Sequence, residues 1–152
     1  MRISAASSDL ISKLSTVSAL QGRVSLASAG GPIDPGMQSV PMPASWVLFE
    51  GEDVVSNAIP MSTNRGYQQE DVLLKFSVWT MISYASQADL INNQWPTLEA
   101  IADSVSGRQA GSSATGLLRW KYVRNYLAHV SNDRLIYVQE FLISGTIQPQ
   151  LT

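Results

Sequence analysis

The sequence predicts a single α/β domain of the α+β kind: an antiparallel or mixed sheet of about four to five strands flanked by two or more helices. Three observations predict it. The 152 residues suffice for one hydrophobic core and are too few for two. Apolar residues recur with a period of two along several segments, the pattern of half-buried strands. In two other places, near the N-terminus and after residue 86, they recur every three to four residues, the pattern of an amphipathic helix.

Taken in order, Ser7, Ser8 or Asp9 is suited to cap a helix whose stripe is Leu10, Leu14 and Val17, widened by Ile11, and which ends near Leu20-Gln21-Gly22. Arg23 to Ala27 alternates as a strand. Ser28 to Pro43 contains Gly30, Gly31, Pro32, Pro35, Gly36, Pro41 and Pro43, and so predicts a long loop, of the length that tends to be functional or disordered: a partner-contacting arm or a floppy excursion. Ala44 to Glu50 is a nearly continuous apolar run closed by Gly51, which predicts a central strand buried on both faces. A second loop, Glu52 to Arg65, follows. The segment Tyr67 to Tyr84 then places Val72, Leu74, Phe76, Val78 and Ile82 on one face and Leu73, Lys75, Ser77, Trp79 and Met81 on the other. Ser86, Gln87 and Ala88 open a helical pattern through Leu90, Ile91, Leu98, Ile101, Ala102 and Val105. Trp95-Pro96 interrupts it, which predicts two short helices or one that restarts near Pro96. After a glycine-rich connection, Leu117 to Val130 and Leu135 to Ile143 read as two strands of a hairpin, joined by the turn Ser131-Asn132-Asp133-Arg134.

Charged residues make up only 14% of the chain, so its surface is covered mostly by neutral polar side chains, and weak repulsion between copies favours self-association. Ten basic residues against twelve acidic ones supply no positive field for non-specific nucleic-acid binding. There is no cysteine, hence no disulfide, thiolate nucleophile or Cys-ligated zinc. The stretch from Met1 to Ser8 lacks the apolar run of a secretory signal, and the longest apolar stretch, Val72 to Ile82, carries Lys75 and is too short for a membrane helix. The expectation is a soluble protein that acts with no membrane.

No catalytic, cofactor-binding or metal-binding set emerges. His129 is the sole histidine, with Asp133 the nearest carboxylate in sequence. None of the serines sits in a nucleophile elbow, and neither a Walker motif nor G-x-G-x-x-G is present. The acidic pairs Glu52-Asp53 and Glu70-Asp71 flank one loop and read as solvated turn charges before they read as a metal or acid/base site. Arg119, Lys121 and Arg124 alternate with Trp120, Tyr122 and Tyr126. Such interleaving suits single-stranded nucleic acid, but ordinary strand alternation accounts for it more simply. Trp79, on the less apolar face of its strand, is a candidate interface anchor.

The order of these pieces resembles the tail terminator proteins of long-tailed bacteriophages and prophages. The likeness lies in the helix at Leu10 to Leu20, the strand Arg23 to Ala27, and Pro-Ala-Ser-Trp-Val-Leu at Pro43 to Leu48. It continues in the Gln-rich lead into the strand Gln68 to Ile82, the helix Thr97 to Gly107, and Leu117-Leu118-Arg119-Trp120 ahead of the run from Asp133 to Phe141. The resemblance implies a non-enzymatic virion protein without cofactors, assembled in the host cytoplasm and located at the head–tail junction. Six copies would form a ring that caps the head-proximal end of the tail tube. Its partners would be further copies of itself, the tail tube protein and a head-completion or connector protein, with DNA passing through the lumen without specific binding. On that reading, the loops place Pro32, Asp34, Pro35, Met37 and Arg65, together with Trp79, at tube or inter-subunit contacts. Glu52, Asp53, Glu70 and Asp71 become candidate channel-lining acids. The alternatives are another connector or tube component, or a small bacterial enzyme or ligand-binding domain.

Overall fold

The computed structural model describes residues 2–27, 40–54, 70–111 and 117–147. Along them run α1 (Arg2–Leu14), a 3-10 turn (Ser18–Leu20), β1 (Val24–Leu26), β2 (Ala44–Val54) and β3 (Glu70–Ser83). There follow α2 (Gln87–Asp89), a π turn (Leu90–Gln94), α3 (Trp95–Val105), β4 (Leu117–Val130) and β5 (Arg134–Ile147). The five strands form one sheet in the order β1-β2-β3-β5-β4. β1 lies parallel to β2 and every other pairing is antiparallel, so the sheet is mixed and the fold is α+β.

α1 begins at Arg2, before the expected cap at Ser7 to Asp9, and it stops at Leu14. The early start follows from Ala5 and Ala6, strong helix formers, and from Ala6 extending the Leu10 and Leu14 stripe by one turn; all three stripe residues are fully buried. The early end follows from hydroxyls that compete for the last carbonyls: Ser15 Oγ donates to Ile11 O at 2.7 Å and Thr16 Oγ1 to Lys13 O at 2.6 Å. Gln21 and Gly22 then turn the chain in left-handed conformations, φ 50° and 75°, and lead it into β1.

β3 lies at the centre of the sheet, with β2 and β5 on either side. Its predicted apolar face is buried from Val72 to Ile82, while its second face is mixed, with Lys75 exposed, Leu73 and Trp79 half-buried, and Ser77 and Met81 buried. β2 is buried on both faces only over Ala44 to Val47, the stretch that β1 flanks. Gly51 does not close it. A bulge between Phe49 and Gly51 carries the strand on to Val54, so Glu52 and Asp53 are strand residues and not loop residues.

The second helical region is one run from Gln87 to Val105. Ser86 caps it, its Oγ accepting from the Asp89 N–H at 3.1 Å. Ser86→Ala is expected to cost about 1 kcal/mol, read as a lower thermal midpoint. Pro96 sits in the first turn of α3, as the sequence suggested, but the wider π turn joins the two parts into one helix. Thr97 Oγ1 takes up the Asn93 carbonyl at 3.0 Å.

α1 and α3 cover one face of the sheet. The main core lies there: Leu10, Leu14 and Ile101 pack on Val47, Leu74, Phe76, Val78, Trp120 and Phe141. Phe76 meets Phe49 at 5.2 Å and Trp120 at 5.6 Å between ring centroids. Buried Gln139 donates to the Leu98 carbonyl at 2.9 Å and ties α3 to β5. On the helix-free face a smaller cluster of Ala44, Trp46, Met81 and Ile136 is joined by Ala27, Val40, Met42 and Trp79.

Candidate assembly surface

β4 departs from the alternation its sequence suggests. Trp120 is buried beneath α1, yet every residue from Val123 to Val130 is exposed, on both faces of the strand. On the helical face the cause is the reach of the helical layer, which covers the sheet near Trp120 and leaves the far half of the outermost strand bare, and the opposite face carries no helix. Val123, Tyr126, Leu127 and Val130 are 46%, 38%, 45% and 59% exposed. A long edge strand that leaves apolar side chains in water marks a surface for a partner.

The backbone edge of β4 divides at the same place. Along its first residues a short segment pairs with it: Gly107 N–H donates to Trp120 O, Trp120 N–H to Arg108 O and Ala110 N–H to Leu118 O, each at 2.9 Å. Asp9 holds this segment from α1, accepting from Gly111 N–H at 2.8 Å, from Trp120 Nε1 at 2.7 Å and from Lys13 Nζ at 2.7 Å. From Lys121 to Val130 no described residue pairs with the outer edge. At the opposite side of the sheet, β1 pairs with β2 only as far as Val47, and the outer edge from Leu48 to Val54 likewise meets no described strand.

A ladder of alternating charge crosses the helix-free face. Asp53 on β2 pairs with Lys75 on β3 at 2.7 Å, and Glu140 on β5 binds Arg124 on β4 through two bonds of 2.6 and 3.0 Å. The bond from Asp53 raises the Lys75 ammonium above its ordinary value, and Glu140 does the same for the Arg124 guanidinium. Arg124 also lies 4.8 Å from the Tyr126 ring centroid.

The candidate residues from the sequence are separated by this geometry. Glu52 and Asp53 point to opposite faces, Glu52 toward Arg2 of α1 and Asp53 toward Lys75. Asp71 is exposed on β3, while the side chain of Glu70 lies outside the described residues. The four acids therefore do not form one cluster. Trp79 lies half-buried beside Trp46, and its Nε1 donates to Ser77 Oγ at 3.0 Å. Pro32, Asp34, Pro35, Met37 and Arg65 lie outside the described residues, as does most of both loops that carry them. His129 is exposed on β4, and Asp133 engages Arg134 at 3.1 Å. Sequence reasoning missed the exposed apolar half of β4, for which the only signal was the run Val123 to Val130 with apolar residues at both parities.

Among the described residues no helix is long and apolar enough to cross a membrane. Neither a protein-family model nor a curated protein sequence matches the chain. In three dimensions the chain is similar to a chain of the virion of a native gene transfer agent particle. The TM-score is 0.55 and the identity 17%, over 91% of this chain and 92% of that one. The likeness establishes a shared fold along nearly the whole of both chains.

Proposed function

We propose that this protein is a structural component of a phage-like virion, and that it works as a tail terminator. Six copies form a ring that caps the head-proximal end of the tail tube, stops its growth and presents a joining surface to the head-completion proteins. The observation that carries the reading is the end-to-end fold likeness to a chain of a gene transfer agent virion. The resemblance in the order of elements and the bare far half of β4 support it. On this reading the role is mechanical and non-enzymatic, and the protein resides at the head–tail junction, with DNA passing through the ring without specific binding.

A head-to-tail ring closes when each copy is rotated by the same fraction of a turn, and closure leaves no growing end within its plane. Capping further requires that one side of the ring bind the tube while the other offers no copy of that side. The test is tube assembly in vitro. Tail tube protein polymerised with this protein present should give tubes that stop growing, with a ring visible at one end by negative-stain imaging. Tubes that lengthen unchanged at saturating protein would overturn the capping role, and a chain that polymerises into tubes by itself would make it a tube component instead.

A further inference from the structure

The two strands that have an open outer edge among the described residues, β4 and the part of β2 beyond β1, carry opposite charge. β4, Leu117–Val130, contains Arg119, Lys121 and Arg124 and no acidic residue. β2, Ala44–Val54, contains Glu50, Glu52 and Asp53 and no basic residue. Part of this charge is answered within the chain, since Arg2, Lys75 and Glu140 engage Glu52, Asp53 and Arg124. Glu50 makes no direct ion pair among the described residues but acts on Lys75 and Arg124 at longer range, Arg119 donates to the Gly107 carbonyl, and Lys121 forms no ion pair among the described residues.

We infer that the β4 edge of one copy, Lys121 to Val130, pairs with the β2 edge of the next, Leu48 to Val54, and so continues the sheet from copy to copy. The occupant of the bare edge is thus a second copy of this chain, bound head to tail. Three features converge on it. Among the described residues both edges lack a backbone partner, and their lengths are compatible: seven residues of β2 extend about 23 Å, within the span of the open β4 edge. Within one copy β2 and β4 run in opposite directions, separated by two antiparallel strands, so copies related by rotation about an axis along the strands meet antiparallel, as in the rest of the sheet. Unlike charge favours β4 against β2, whereas β4 against β4 would set the basic pair Lys121 and Arg124 opposite its copy and β2 against β2 would do the same with acids. The apolar side chains Val123 and Leu127 would be covered in the joint.

The inference rests on the ring reading, and its test separates the two. Lys121→Glu with Arg124→Glu makes the β4 edge acidic, and Glu50→Lys with Asp53→Lys makes the β2 edge basic. Each double variant should associate at least tenfold more weakly than the native chain at low salt, by light scattering. Mixed in equal amounts, the two should assemble again, because every β4–β2 contact between unlike variants is attractive. Both sets of residues are exposed, and circular dichroism checks that the variants fold. A second measurement needs no charge change. The native chain has no cysteine, and Tyr126 and Glu50 both lie on the helix-free face, so Tyr126→Cys combined with Glu50→Cys should give a ladder of disulfide-linked oligomers on oxidation, while either substitution alone gives none. Dimers from Tyr126→Cys alone, or native rings that yield no ladder, would overturn the pairing and leave the ring standing. A native chain that stays monomeric, with tail tubes and without them, would remove both. A ladder together with unchecked tube growth would uphold the pairing and remove the capping role.

Discussion

Replacing Trp120 by alanine is expected to lower the stability of the fold by about 4 kcal/mol, the largest effect of any single substitution considered. The indole is fully buried, stands edge-on to Phe76 at 5.6 Å and packs beneath α1. Its removal leaves a cavity between the helical layer and the sheet and withdraws the Nε1 donor from Asp9. The shift should appear as a lower urea midpoint with an unchanged slope. Trp120→Phe keeps the aromatic contact with Phe76 but loses the N–H and part of the buried ring volume, so it should cost about 2–3 kcal/mol, less than the alanine variant. A loss below about 1 kcal/mol for the alanine variant would mean that the helix–sheet interface does not depend on this ring.

The second large effect is expected at Asp9. Its carboxylate accepts from Lys13, Trp120 and the Gly111 backbone, joining α1 to the segment that lines the start of β4. Asp9→Ala strands these donors, at a cost of about 2–3 kcal/mol. Burial pushes the Asp9 carboxyl upward, but the hydrogen bonds from Lys13, Trp120 and Gly111 together outweigh it and hold the group below its ordinary 3.8. A carboxylate whose folded value is depressed contributes stability that is full above its unfolded value and is lost as pH falls through the folded one. Unfolding measured from pH 6 downward should therefore show stability falling below about pH 4. Asp9→Asn should remove part of that fall, while the exposed Asp133, also lowered by Arg134, keeps its own share in both proteins. An unchanged acid limb in Asp9→Asn would show that the network carries no pH-linked stability.

Much of the fold was legible because burial and periodicity agree. β3 and the β4–β5 hairpin were readable from alternation, and the turn at Ser131 to Arg134 from its residue types. The misses have physical causes. Gly51 reads as a strand end, but a bulge lets a strand pass through glycine. The N-terminal serines and Asp9 read as caps. Asp9 instead serves a tryptophan 111 positions away, a pairing no local pattern reveals. The candidate site was legible only in part. Glu52 and Asp53 look like a pair because they are adjacent, and strand geometry sends adjacent side chains to opposite faces. That the far half of β4 is bare on the helical face depends on how far α1 and α3 extend across the sheet, and sequence periodicity carries no record of that distance.

The segment from Gly107 to Ala110 acts as a guard on the sheet. By occupying the first residues of β4 it shortens the length of ladder open to indiscriminate stacking. Were it to peel away, the whole fourteen-residue strand, about 46 Å of backbone, would lie open, and the same chain would clump without order.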